Sequence, residues 1–258
     1  MNYITHLNEI KALALDEIEQ LRNEFLSTLP GNTKSSHVIG WPYGMPASID
    51  PKIVFIGVSM GASPSSHNIE IELNGDDCLF SKIDEAKKDK KHFYYPDGRH
   101  YWDKLRLLSH NYFKVTCPEI SEEDAIAMSS HFNLGTGSAG KASTSDVEPL
   151  YINWVSTLLN QKLRPDLVVL FGLKDILKKK AIRDSWNNES GLIVDWSKPN
   201  KTSLDNEAYS FSGWTVTNAL GHSIKIVLWP NHPSRPPFSD IKKWELAVNQ
   251  YVNSDSFK

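Results

Sequence analysis

The sequence is poor in cysteine and contains no long apolar run. Cys78 and Cys117 are the only cysteines among 258 residues, which excludes a disulfide framework and a four-cysteine zinc or iron–sulfur site. No apolar run approaches the roughly 20 residues that span a bilayer, and the N-terminus lacks the basic-then-apolar pattern of a signal peptide. We therefore expect a cytoplasmic monomer with no membrane partner, no metal cluster and no cofactor.

The sequence also lacks a strong net charge and any internal repeat. The formal net charge is −3, which gives no global argument for binding to nucleic acid. Basic residues are nevertheless concentrated locally, between residues 87 and 106 and between residues 174 and 183. Such groups permit phosphate binding but more often form solvated surface.

Apolar periodicity predicts that helices and strands alternate along the chain. Apolar runs predict strands at Lys52–Gly57, within Glu122–Asn133, and at Leu167–Phe171 and Ile224–Leu228. Spacings of three and four residues predict helices at Thr5–Leu29, Tyr101–Phe113, Glu148–Lys162, Lys174–Ile182 and Ser239–Val252. This order favours a three-layer α/β/α sandwich around a mostly parallel four-stranded sheet. We expect one domain over residues 1–258, with an N-terminal helical extension at about 1–31 and a polar excursion at about 184–213.

Unusual loops follow three of the predicted strands. They are Gly57-Val58-Ser59-Met60-Gly61, the segment from His131 through Asn133 to Gly135, and the proline-rich Asn231-His232-Pro233-Ser234-Arg235. The prolines of the last loop fix φ and remove backbone donors, so this segment cannot continue the strand before it. In a parallel sheet all three loops leave the same edge, which is where ligands bind in α/β folds.

The stretch Gly135–Lys141, G-T-G-S-A-G-K, nearly matches a phosphate-binding P-loop. Ala142 supplies no hydroxyl for Mg²⁺, and the next predicted helix begins only at about Glu148, so the match is incomplete. A nucleotide-phosphate binder remains an alternative function, and a Mg²⁺-dependent thermal shift with ATP or GTP would test it.

The three loops together resemble the uracil-DNA glycosylase superfamily over about residues 50 to 250, with gaps at 70–100 and 184–213. The family's first motif, Gly-Gln-Asp-Pro-Tyr or Gly-Met-Asn-Pro-Gly, corresponds to Gly57–Gly61. Asn133 is similar to the family asparagine that reads the flipped base, and His232-Pro233-Ser234-Arg235 is similar to the last motif and its wedge loop. The passage Leu163–Gly172 also resembles the family's penultimate helix-to-strand segment.

The resemblance implies a DNA glycosylase that flips a base out of the duplex and hydrolyses its N-glycosidic bond. His232 would stabilise negative charge on the departing base, and Asn133 would offer a donor and an acceptor to the base edge. Phe80 would stack on the base, or else belong to the core. Gly57, Val58, Met60 and Gly61 would line the substrate site with Ser59. DNA-binding roles are implied for Ser65, Ser66, Ser234 and Arg235.

Ser59 departs from the family pattern, which has Asp or Asn there, and Met60 stands where the family has Pro. A hydroxyl is a poor general base, so either His232 carries the mechanism or another residue holds the water; the candidates are His67, Asp76 and Asp77. The substrate is then a uracil-type base or a bulky modified pyrimidine, such as a modified phage base in antiviral defence. The other alternative is a catalytically silent nucleic-acid-binding relative. No lysine lies in the three motif loops, so we predict a monofunctional enzyme without lyase activity.

Overall fold

The computed structural model describes somewhat more than half of the chain, and these residues form an α/β fold. The described residues are 3–14, 16–17, 20, 24, 28, 51–58, 100–134, 147, 149–202, 211–229, 233 and 240–253. Within them, helices cover both faces of a six-stranded sheet. None of the helices in these ranges is long and apolar enough to cross a membrane.

The sheet combines a parallel part with an antiparallel extension. Its strands are β1 (Ile53–Gly57), β2 (Ser129–Asn133), β3 (Leu167–Phe171), β4 (Asn200–Thr202), β5 (Phe211–Thr217) and β6 (Ser223–Trp229). They lie in the order β2-β1-β3-β6-β5-β4. The four strands β2, β1, β3 and β6 are parallel, whereas β5 and β4 add to β6 in antiparallel pairing. The predicted count of four strands for the whole sheet is therefore wrong, although the sheet is mostly parallel as predicted.

The parallel strands are apolar on both faces because both faces are covered. Alternate residues point to opposite sides of a strand, so Val54 and Ile56 belong to one core cluster and Ile53 and Phe55 to the other. The same alternation holds along β3. A strand buried on both sides has no polar face, which explains the continuous apolar runs in the sequence.

Six helices in the described ranges supply the two outer layers. They are α1 (Tyr3–Ala12), α2 (His100–Lys114), α3 (Glu122–Ala127), α4 (Pro149–Gln161), α5 (Lys180–Trp186) and α6 (Ile241–Val252). Apolar residues of α4 and α5 pack with Val54 and Ile56, and those of α1, α2, α3 and α6 pack with Ile53 and Phe55. The helix layers explain why α2, α4 and α6 show apolar spacings of three and four residues.

Three helix predictions need correction. The first helix ends at Ala12 instead of Leu29, and the residues after it are only partly described. The helix predicted at Lys174–Ile182 begins at Lys180, because Lys179 adopts an extended conformation (ψ 125°) and interrupts the helical run. The segment predicted as a strand from Glu122 starts instead with α3, whose N-cap Ser121 accepts a bond from the backbone N–H of Asp124 at 3.1 Å.

The segment predicted as a polar excursion, at about 184–213, contains the end of α5, the strand β4 and the start of β5. The tryptophans in and next to this segment pack together. The ring centroids of Trp186 and Trp196 lie 5.6 Å apart, and those of Trp196 and Trp214 of β5 lie 5.0 Å apart. In β5 the buried Trp214 alternates with the exposed Thr215 and Thr217. This period of two is typical of a half-buried strand.

Candidate functional site

The carboxyl ends of the four parallel strands lie level with one another at one edge of the sheet. Gly57 at the end of β1 pairs with Asn133 at the end of β2. Phe171 at the end of β3 pairs with Trp229 at the end of β6. Since β1 and β3 are also neighbours, the segments that follow all four strands leave the same edge. The three loops singled out in the sequence follow β1, β2 and β6.

The sheet order places a topological switch point at this edge. From β1 the chain crosses to β2 on one side, and from β3 it continues to β6 on the other side. Ligands of open α/β sheets bind in the crevice outside the carboxyl ends of such a strand pair. The stretch Gly57–Gly61 starts at this crevice.

Only part of the predicted site lies within the described residues. Gly57 and Val58 are described, and for Asn133 the backbone position at the end of β2 is described. The remaining predicted site residues, together with the alternative water-binding residues and the P-loop-like stretch, lie outside the described residues: Ser59, Met60, Gly61, Ser65, Ser66, His67, Asp76, Asp77, Phe80, 135–141, His232, Ser234 and Arg235.

The first motif is joined to the second by a backbone hydrogen bond beyond the paired strands. The N–H of Leu134 donates to the carbonyl of Gly57 at 3.0 Å. Val58 is 7% exposed and packs in the core with Phe132 and Leu134. The side chain of Val58 is therefore part of the core, and only its backbone groups remain to contact a ligand.

A buried lysine that the sequence analysis did not single out contacts the third motif. Lys104 of α2 is 1% exposed, and its Nζ donates to the carbonyl of Pro233 at 2.7 Å. Lysine is almost never fully buried unless it is paired. The one sequence signal is its position four residues before the buried Leu108, on the apolar face of the helix.

The surroundings of Lys104 connect α2 with α6. The indole N–H of Trp244 donates to the backbone carbonyl of Lys104 at 2.9 Å. Asp240 caps α6 by accepting a bond from the N–H of Lys242 at 2.9 Å. Burial lowers the pKa of Lys104, while the negative charges of Asp103 and Asp240 act in the opposite direction.

Aromatic side chains form a rigid base beneath the β6 end of this edge. The ring of Trp229, the last residue of β6, lies 4.8 Å from the ring of Trp244 and 5.1 Å from that of Tyr251. The ring centroid of Phe171, at the end of β3, lies 6.4 Å from the ring centroids of both Trp229 and Trp244. Packed rings of this kind resist rearrangement because a close-packed core has no space for it. The strand that precedes His232 is therefore held firmly at its end.

Exposed basic residues follow the neighbouring strand β3. Beyond Gly172, which ends β3 with φ 65°, Leu173 and Leu177 are buried in the core. The lysines between and after them are exposed: Lys174, Lys178, Lys179 and Lys180. Lys178 is paired with Asp175 at 2.7 Å. The chain therefore places several positive charges directly after one of the four strand ends that form the site edge.

Metal ligation and similarity to known proteins give no further assignment. Across the residues that the structure describes, no group of three or more His, Cys, Asp and Glu side chains is arranged to hold a metal ion. Comparison of the chain with protein-family models, curated proteins and solved structures finds no match.

Proposed function

We propose that this protein is a monofunctional DNA glycosylase that acts at the carboxyl edge of the sheet. The observation that carries the proposal is the common edge of β1, β2 and β6, from which the three motif-like loops leave. Neighbouring strands lie about 4.8 Å apart, so the starts of these loops span roughly 14 Å across the sheet. One extruded nucleotide is within reach of all three.

The fold is compatible with this proposal. The resemblance implies a mostly parallel sheet between two helix layers, and the described residues have four parallel strands covered by helices on both faces. The motif order along the chain, first after β1, then β2, then β6, follows the order that the resemblance implies. The added pair β5 and β4 extends the sheet on the side away from β1 and β2 and leaves the edge with the three loops open.

In the proposed reaction the N-glycosidic bond breaks and its electron pair leaves with the base. His232 stabilises the negative charge on the departing base by a hydrogen bond, while Asn133 pairs with the base edge. A water molecule adds its oxygen to the anomeric carbon, and its proton goes to the departing base, so that an abasic site and the free base result. Ser59 holds this water less effectively than the Asp or Asn of the family, so stabilisation of the departing base carries more of the rate.

The substrate of the proposed reaction is DNA with a uracil-type base or a bulky modified pyrimidine. Ser59 is smaller than the usual Asp or Asn, which leaves room for a larger base. The exposed lysines that follow β3 support DNA as the partner, because local positive charge binds phosphates even when the net charge is slightly negative. The proposed setting is the cytoplasm, in DNA repair or in defence against phage DNA, with the protein acting as a monomer.

A base-release assay tests the proposal directly. The panel contains uracil in single- and double-stranded DNA, mismatched thymine, hypoxanthine, 5-hydroxymethylcytosine and its glucosylated forms, followed by alkali to cleave abasic sites. We expect release from at least one substrate, and a loss of at least about 100-fold in His232→Ala. His222→Ala is the matched control, because His222 lies in the turn that enters β6 at the opposite edge of the sheet. It should retain the wild-type rate.

The departure at Ser59 favours one second candidate, a silent relative that binds nucleic acid without cleaving it. In that case DNA would bind with an affinity that falls as salt rises, and no substrate of the panel would lose its base. Ser59→Asn then gives a further distinction, because an asparagine restores the side chain of one family motif. If base release appears only in Ser59→Asn, the wild-type chain binds nucleic acid without cleaving the N-glycosidic bond.

A further inference from the structure

We infer that Lys104 is a positioning residue for His232, which it holds in place by binding the carbonyl oxygen of the adjacent Pro233. The catalytic consequence of this inference rests on the proposed function. The contact joins residues 129 positions apart in the sequence. It therefore joins Pro233 to a helix of the outer layer, independently of the strand that precedes this residue.

Burial and a hydrogen bond restrict the position of the ammonium group. Lys104 is 1% exposed, and the bond from its Nζ to the Pro233 carbonyl is 2.7 Å long. Its own backbone carbonyl accepts the 2.9 Å bond from Trp244, so the helix that carries it is fixed against α6. Because Lys104 is buried, close packing limits the movement of its ammonium group.

An ammonium group at this depth is costly unless its hydrogen bonds compensate. Methionine would fill similar space beside Leu105 and Leu108 without that cost. Asp103 and Asp240 provide negative charge that offsets part of the penalty, since both act to keep Lys104 protonated. The charge-assisted bond to Pro233 is the specific interaction that the lysine provides and an apolar residue would not.

The bond completes the conformational restriction of Pro233. The pyrrolidine ring already fixes φ of this residue. The direction of the carbonyl depends on ψ, and the bond from Lys104 sets that direction. Both backbone dihedrals of Pro233 are then restricted, and this residue directly follows His232 in the chain.

The same bond acts on Ser234, the predicted phosphate-binding residue. The carbonyl of Pro233 and the N–H of Ser234 belong to one peptide group. A positive charge on the carbonyl polarises that group and strengthens the N–H as a donor. Lys104 thereby supports phosphate binding without contacting a phosphate.

The test replaces the lysine and measures the loop and the reaction separately. Lys104→Met removes the charge and the hydrogen-bond donor at similar side-chain volume. Lys104→Gln keeps a polar group on a side chain that is too short to reach the Pro233 carbonyl, and it replaces the methionine variant if that variant does not fold. Lys52→Met is the matched control: Lys52 is 0% exposed and lies at the opposite edge of the sheet, just before β1. Hydrogen exchange of the amides of residues 231, 232, 234 and 235 reports on the loop, and single-turnover kinetics report on base release.

We expect faster exchange at these four amides in Lys104→Met, with unchanged protection in β3. We also expect kcat for base release to fall about 10- to 100-fold with a smaller change in KM, as for the loss of a charge-assisted bond. Combined with His232→Ala, the lysine substitution should cause no further loss in kcat, because a positioning residue acts on the chemical step through the group it positions. Lys52→Met should change neither readout.

Three results separate the inference from the proposed function. Unchanged exchange in the loop of Lys104→Met would overturn the inference, whatever the activity. Loosened exchange with a wild-type kcat would overturn the role in positioning His232. If the wild-type chain releases no base, the proposed function fails, and the exchange measurement alone then decides whether Lys104 holds the loop.

Discussion

Alkaline pH should destabilise this protein because of three buried or partly buried tyrosines, Tyr3, Tyr112 and Tyr251. The hydroxyl of Tyr3 donates to the carboxylate of Asp166 at 2.8 Å, and Tyr251 is 1% exposed beneath Trp229. Burial, followed by the nearby Asp166, raises the pKa of Tyr112. Burial is also the largest cause that raises the pKa of Tyr3 and of Tyr251, in both cases with a contribution from Tyr112.

The sign of the effect follows from the direction of these shifts. A tyrosine whose pKa is raised in the folded state contributes stability that is complete below pH 10 and is lost as the pH rises above it, because only the unfolded chain then releases the proton. Each such tyrosine lowers the free energy of unfolding by about 1.4 kcal/mol per pH unit. Tyr112 and Tyr251 together give about 4 kcal/mol between pH 10 and 11.5, and the partly buried Tyr3 acts in the same direction. Burial lowers the pKa of Lys104, which acts in the opposite direction but only up to its ordinary pKa of 10.5.

The assay combines urea unfolding at pH 9, 10, 11 and 11.5 with tyrosinate absorbance at 295 nm. A loss of about 4 kcal/mol is a large part of the 5–15 kcal/mol typical of folded proteins, so the unfolding midpoint should fall steeply above pH 10. Tyr251→Phe should reduce the slope by about 1.4 kcal/mol per pH unit. If all nine tyrosines of the chain ionise near pH 10 while the circular dichroism remains native, the reasoning is refuted.

Further predictions concern the fold and are checked by urea unfolding at pH 7. Gly191→Ala should destabilise by about 1–3 kcal/mol, because a Cβ there would overlap the carbonyl oxygen of Trp186 and lie 2.7 Å from the Oγ of Ser156. Gly172→Ala should cost about 1 kcal/mol from backbone strain alone, since φ is +65° and no atom lies within 4 Å of the added Cβ; a larger loss than in Gly191→Ala would contradict this. Asn218→Ala should cost about 2–4 kcal/mol, because the buried amide donates to the carbonyl of Leu159 in the last turn of α4 at 3.1 Å and to that of Leu163 just after the helix at 2.9 Å.

The sequence predicted best those elements whose residues are buried on all sides. In β1 and β3 every position is buried, so composition alone identified them. Gly172 also marked its strand end correctly, because φ of +65° favours glycine. The parallel arrangement followed from the alternation of strands with helices.

The elements that sequence reasoning missed depend on contacts between distant residues. The short β4 has three residues and no pattern of its own; it exists because it pairs with β5. The pairing of Lys104 with Pro233 joins the helix after the first predicted strand to the loop after the last one, and a single sequence shows no sign of it. Of the candidate site, the sequence predicted the common edge of the strands, while the contact that fixes one of its loops emerged only from the three-dimensional packing.

The antiparallel pair β5 and β4 has a consequence for assembly. If the sheet ended at β6, this strand would present unpaired backbone donors and acceptors along its outer edge. Such an edge is a template for pairing with another chain. Pairing with β5 satisfies that edge over six registered positions, from Ser223 to Leu228. Among the described residues the sheet then ends at a strand of three residues, and a very short edge strand offers little backbone for pairing with a second copy. The protein thus limits aggregation by strand addition on the side of the sheet where the last motif loop begins.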